Sequence, residues 1–168
     1  TLFRSTIGTS ASGRNDPQFF DTIGYFTTVV AHRIQFTKAL TINALIDDVK
    51  RQINDSMPYT DIPIDLVEEA LFGDEIAQDS HIFEVFIQIH AKNKLNGAFR
   101  LADDREVRFR QVDPEKTESV LGLQFEVMEE QIDGKPYIRV MLSYREDHYS
   151  PAQVDLIART ILQLFAAM

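Results

Sequence analysis

The chain has 168 residues, 44% of them apolar, with neither cysteine nor tryptophan. That is enough for one domain with a sizeable core, and it excludes a disulfide framework or a thiolate metal site. Lys and Arg total 17 against 26 Asp and Glu, a net charge of −9 with no local basic cluster, which argues against nucleic acid or an anionic membrane as partner.

No apolar run approaches the roughly 18 residues that span a bilayer, and no secretory leader is read at the start. A soluble, cytoplasmic chain is expected, with Thr1 in first place marking a piece of something longer. Thr1 to Gly8 reads as a strand entering a small-residue loop, Gly8 to Pro17. The β-branched run Thr27 to Ile34 predicts a second strand. Leu40 to Ile53 then changes to helical spacing. Leu45, Val49 and Ile53 form a stripe with Ile42 and Ile46 beside it, Asp47, Asp48, Lys50 and Arg51 take the wet side, and Thr41 is the N-cap. Met57-Pro58 stops that helix and Pro63 starts a short one through Leu66, Val67, Ala70 and Leu71.

The second half reads mostly as strand. Phe83 to His90, Val107 to Arg110, Leu121 to Met128 and Ile138 to Arg145 read as strands of period two, the first with Phe86 on a partly covered second face, and Asp133-Gly134 predicts a hairpin between the last two. Ser150, Pro151 and Gln153 make a capping box for a final helix with the stripe Val154, Ile157, Ile161 and Phe165. The fold class expected is α+β, a mixed sheet carrying three helices.

Isolated chemical motifs are poor. Gly8 to Gly13 has the G-x-x-x-x-G outline of a phosphate loop, but Arg14 and Asn15 stand where a lysine and a Ser or Thr hydroxyl are needed. Ser10 and Ser12 make no nucleophile elbow, because G-x-S-x-G does not occur. His32, His81, His90 and His148 are scattered without metal-ligand spacing. His32 and His90, on strands, are expected to be hydrogen-bonded structural residues, and His148 to lie in a turn before the capped helix. No catalytic residue and no metal ligand is assigned.

In order, however, several segments resemble the C-terminal part of a condensation domain of nonribosomal peptide synthetases. Gly8-Thr9 through Gly13-Arg14 is similar to the family's G-T-x-x-x-G-R segment, and Ile23-Gly24-Tyr25-Phe26 to its I-G-x-F opening. Arg33 stands where the following strand usually carries an arginine, Asp61-Ile62-Pro63-Ile64-Asp65 resembles D-V-P-F-E, and Ile82-Phe83-Glu84-Val85 resembles L-F-D-V. There are departures. Thr27-Thr28-Val29 replaces V-N-T, Tyr59 replaces the histidine before the D-V-P-F-E core, and His81 replaces the proline before L-F-D-V. These point to a divergent subtype, such as one from a hybrid polyketide–peptide assembly line.

The family's catalytic H-H-x-x-x-D-G is absent; aligning the lone Asp133-Gly134 would put Met128 and Glu129 in place of the histidines. The resemblance therefore implies residues 1–168 as one chloramphenicol-acetyltransferase-like lobe, a mixed, mostly antiparallel sheet flanked by helices, without the N-terminal lobe that bears the motif. It implies a tunnel between lobes, in which substrates tethered to the phosphopantetheine of peptidyl or acyl carrier proteins form an amide or ester bond. No cofactor is then bound covalently to this chain.

On that basis Gly8, Ser10, Ser12, Arg14, Tyr25, Thr27 and Thr28 are expected along the tunnel, with Thr28 facing the substrates. Gly24, Phe26, Arg33, Asp61 and Pro63 are expected to be structural. Lys92 to Arg110 is either a crossover to the other lobe or an ordinary edge strand. The alternatives are a non-catalytic condensation-like docking module, or the same lobe of an epimerization or cyclization domain. An isolated lobe exposes apolar surface, so self-association is expected.

Overall fold

A computed structural model describes residues 3–36, 41–73, 81–90, 97–110, 112, 119, 121–132 and 135–168, with backbone alone for 3, 4, 131 and 132. Strands β1 (Phe3–Ser12) and β2 (Thr27–Phe36) are followed by helices α1 (Ile42–Ser56) and α2 (Ile64–Phe72). Then come β3 (Val85–His90), β4 (Gly97–Arg100), β5 (Glu106–Phe109), β6 (Leu123–Ile132), β7 (Lys135–Tyr144) and helix α3 (Pro151–Ala167). Five strands form one sheet in the order β2-β1-β3-β6-β7. The central neighbours β1-β3 and β3-β6 run parallel, joined through three and six residue pairs, whereas each outer pair is antiparallel over ten. The sheet is thus mixed and mostly antiparallel, as expected, with three helices.

The elements start and stop for local reasons. Thr41 accepts a hydrogen bond from the Ala44 amide, and Met57-Pro58 converts the end of α1 into a single 3-10 turn. Pro63, at φ −59°, sits at the N-cap of α2, and Gly73, at φ +62°, ends it. At α3 the capping box is complete, with Ser150 and Gln153 serving each other's backbone amides. β6 and β7 pair antiparallel up to Ile132↔Lys135; Asp133-Gly134 lies outside the described residues.

Two readings are corrected. Gly8 to Ser12 is strand rather than loop, because β1 keeps pairing with β2 as far as Ser12↔Thr27. The small residues meet a packing need instead: a Cβ on Gly8 would lie 2.4 Å from the ring of Phe83, which rests on the strand there. The second correction is the seating of α1. Leu45, Asp48, Val49 and Gln52 are half-buried, whereas Ile42, Ile46 and Ile53 of the apolar stripe are exposed. Asp48 tolerates this position because Arg51 and Gln52 both donate to its carboxylate and hold it below the usual carboxylate range.

The segment Gly97 to Phe109 joins neither edge of the sheet. It forms a separate two-stranded ribbon, with Asp103 to Arg105 in its turn and Asp104 at φ +62°. Lys92 lies outside the described residues. The register puts Phe99, Val107 and Phe109 on one ribbon face, where all three are exposed. Among the described residues only six apolar side chains are buried: Ile34, Phe83, Phe86, Leu123, Met128 and Val154. Two polar ones join them. His32 is hydrogen-bonded to Thr9 Oγ1 at 2.8 Å, as a structural strand histidine should be, and Thr60 donates to the Met57 carbonyl.

Candidate functional site

The site grows from the place where β1 and β2 part. Their ladder continues one step past Ser12↔Thr27, the Gly13 amide donating to the Phe26 carbonyl at 2.9 Å. A Cβ on Gly13 would stand 2.2 Å from that oxygen, so only glycine permits this approach. The chain between then folds back on itself. Asp16 caps the 3-10 turn Pro17–Phe19 by accepting from the Gln18 amide at 2.9 Å.

Arg14 holds that excursion. Its guanidinium donates to the carbonyls of Phe19, Thr22 (2.6 Å) and Gly24 (3.2 Å), and lies over the Phe26 ring at 4.1 Å. Phe19 completes the stack, its ring centroid 5.6 Å from that of Phe26. Next to Arg14, the Asn15 amide donates to Thr60 Oγ1 (2.9 Å) and Asp61 Oδ1 (2.8 Å), which ties the loop to the α1–α2 junction.

Between this loop and the ends of β1 and β3 lies an open cleft of about 320 Å³. Ser10, Ser12, Arg14, Tyr25 and Thr27 all line it, so two separated sequence segments converge there. Gly24 and Phe26 shape its wall, and Gln88 and Ile89 of β3 enter as residues the sequence reading had missed. Gly8 is not among the lining residues; it lies under Phe83.

Thr28 is also outside. Alternation sets Thr27 beside Ser12 and Thr28 beside Ala11; Ala11 also lines the cleft, whereas Thr28 does not, and its hydroxyl is buried without a hydrogen-bond partner. Arg33 stands exposed on β2 and lines a different hollow, of about 560 Å³, with Gln35 and α1. Asp61 receives Asn15, and Pro63 opens α2.

Chemically the cleft can hold and orient. Its lining supplies serine and threonine hydroxyls, the Gln88 amide and the Tyr25 ring, and its single guanidinium is engaged by its own loop. None of its lining residues is a histidine or carboxylate that could move a proton near neutral pH. His32 is on the Thr28 face by its pairing with Ile7, and burial pushes its imidazole below the ordinary value. At the opposite end of β3, Glu84 and His148 Nδ1 meet at 2.8 Å, beside Asp147, which paired hydrogen bonds from Arg145 hold down at about 2.

Fold and sequence now identify the class. The condensation-domain family matches residues 4–168, and the chain belongs to that family. Over 160 residues it is 23% identical to a hybrid PKS-NRPS synthetase of Fusarium sp, covering 95% of this chain and 4% of the relative. Cyclosporin synthetase of Tolypocladium inflatum is 27% identical over 92 residues, 54% of this chain and 1% of that one.

Among solved structures, the X-domain from teicoplanin biosynthesis superposes with a TM-score of 0.70 at 20% identity, over 93% of this chain and 34% of that chain. The starter condensation domain of rhizomide synthetase gives 0.63 at 11%, over 98% and 36%. The fold is therefore the chloramphenicol-acetyltransferase-like fold of nonribosomal peptide synthetase condensation domains. The chain spans about a third of those two solved domains and a few per cent of the synthetases. No helix among the described residues is long and apolar enough to cross a membrane.

Proposed function

We propose that residues 1–168 are the C-terminal lobe of a two-lobed condensation domain, which joins acyl or aminoacyl groups delivered on the phosphopantetheine arms of carrier proteins. The observation that carries this is the cleft. Ser10 and Ser12 from one family-like segment, and Tyr25 and Thr27 from another, line a single open hollow that binds without an acid–base group of its own. Such a wall positions reactants; holding two tethered groups in register lowers the barrier by several kcal/mol when the geometry is right. Proton transfer then belongs to the H-H-x-x-x-D-G lobe that faces it.

Two further features support a missing partner lobe. Among the described residues only six apolar side chains are buried, a thin core for the strands and helices they belong to. An isolated two-stranded ribbon with Phe99, Val107 and Phe109 in water is marginal unless something covers it, which suits a crossover to another lobe. By this reading Gly8 and Gly13 are packing residues, Ser10, Ser12, Tyr25 and Thr27 face the substrates, and Thr28 is a strand residue.

The test is to block the cleft. In the full-length chain that carries these residues, Ser12→Phe should abolish condensation of two carrier-bound substrates, read as product mass on the acceptor carrier. Thr28→Val, at a residue that does not line the cleft, should leave it intact. Equal effects of the two substitutions would overturn the proposal.

A further inference from the structure

The loop that walls the cleft combines two properties that seldom coincide. It is braced from within, by the three carbonyl contacts of Arg14, the Phe19–Phe26–Arg14 stack, the Asp16 cap and the pinned Gly13. Yet it carries Phe20 (61%), Ile23 (101%) and Tyr25 (88%) out into solvent. Ordering a loop costs about 1–2 kcal/mol per residue, and exposed aromatic side chains recover none of it in the free chain. A loop whose ordering is met by internal bonds presents those side chains to a ligand without that cost.

Guanidinium geometry explains why Arg14 suits the position. Its planar donors reach several carbonyls at once while its face lies on a ring, which a lysine ammonium does not reproduce. Arg14 is also among the residues that line the cleft, as is Ser12. The Gly24 carbonyl it holds immediately precedes Tyr25, so the clamp fixes the backbone from which Tyr25 enters the cleft that Ser10 and Gln88 also line.

We propose that Arg14 is a positioning residue that presets the cleft wall, and that Tyr25 at its mouth is the specificity-determining contact which limits the size of the group admitted. The proposal rests on the function given above, in that the cleft receives the substrate groups. It assigns selection to the loop rather than to the residues on the sheet, Ser10, Ser12 and Gln88, which offer hydrogen bonds to whatever enters.

The experiment uses the full-length chain with Arg14→Ala, Arg14→Lys and Tyr25→Ala. Each is tested on carrier-bound substrates graded in side-chain size, with kcat and KM measured separately, and by backbone hydrogen exchange. Arg14→Ala should speed exchange across residues 19–25 by about tenfold or more while β3 and β6 keep their protection. It should also flatten the size preference, acting on KM more than on kcat. Arg14→Lys should behave like Arg14→Ala, and methylguanidinium added to Arg14→Ala should restore the preference. Tyr25→Ala should flatten the preference with loop exchange unchanged.

Unchanged exchange in Arg14→Ala, or a uniform fall of kcat for every substrate with the preference kept, would overturn the proposal. Hydrogen exchange reads the brace without turnover. A wild-type enzyme that condenses none of the substrates would therefore count against the proposed function, while the brace is still decided by the exchange result.

Discussion

Replacing Gly8 by alanine tests the packing that lets β1 run straight into the cleft. The added Cβ would lie 2.4, 2.6 and 2.7 Å from three carbons of the Phe83 ring, where carbon atoms normally rest at about 3.5–4.0 Å. The ring must retreat by about 1 Å. It has little room to do so, because Phe83 is 7% exposed and Phe86, 8% exposed, stands with its centroid 6.2 Å away. Overpacking of this kind costs about 1–3 kcal/mol. Urea denaturation followed by circular dichroism should show a midpoint lower by about 1 M at an unchanged slope. Phe83→Leu alone is also destabilising, but it removes the obstructing ring. The double variant should therefore be more stable than the two single effects add up to, by more than about 0.5 kcal/mol. Strict additivity, or a loss below about 0.5 kcal/mol for Gly8→Ala, would refute the reasoning.

Two further outcomes are expected of the same chain. Ser150→Ala breaks the capping box of α3 and should lower stability by about 1 kcal/mol, visible as a lower thermal midpoint, with Ser150→Asp retaining most of it. Burial holds the His32 imidazole below 6.5, so the unfolded chain takes up the proton first. Stability from this residue is then complete above about pH 6.5 and is lost as pH falls from there toward the lowered folded value. Denaturation at stepped pH should show that decline, and His32→Asn should flatten it.

Much of the fold was legible because its signals are local. The Thr41 and Ser150 caps, the Met57-Pro58 stop and the period-two strands depend on neighbours within a few residues. What was misread depends on distant chain. The run Gly8 to Ser12 has loop composition, and it is strand because Phe83, 75 positions away, needs the space above Gly8 and β2 supplies the ladder.

The period of α1 identifies its apolar stripe correctly but cannot say whether anything covers it; Ile42, Ile46 and Ile53 are exposed while Asp48 turns inward. For Thr27 and Thr28, alternation requires opposite faces, yet which of them borders the cleft depends on how the ends of β1 and β3 meet the loop, which no local pattern records. Gln88 and Ile89 join the site through the parallel pairing of β3 with β1, for which no short motif exists. Asn15 had a signal that went unused. It directly follows Gly13-Arg14, and its partners Thr60 and Asp61 sit beside the Ile62-Pro63 pair singled out for another reason.

If this chain forms one wall of a two-lobed condensation site, bond formation requires the lobe that faces it. Joining residues 1–168 to an upstream lobe that carries H-H-x-x-x-D-G, and following bond formation between two carrier-bound substrates by intact-protein mass spectrometry, reads that requirement. Product is expected from the joined lobes, none from residues 1–168 alone, and none when the second histidine of that motif is replaced by alanine. Product from residues 1–168 alone, or a folded two-lobed protein that yields no product, would contradict it.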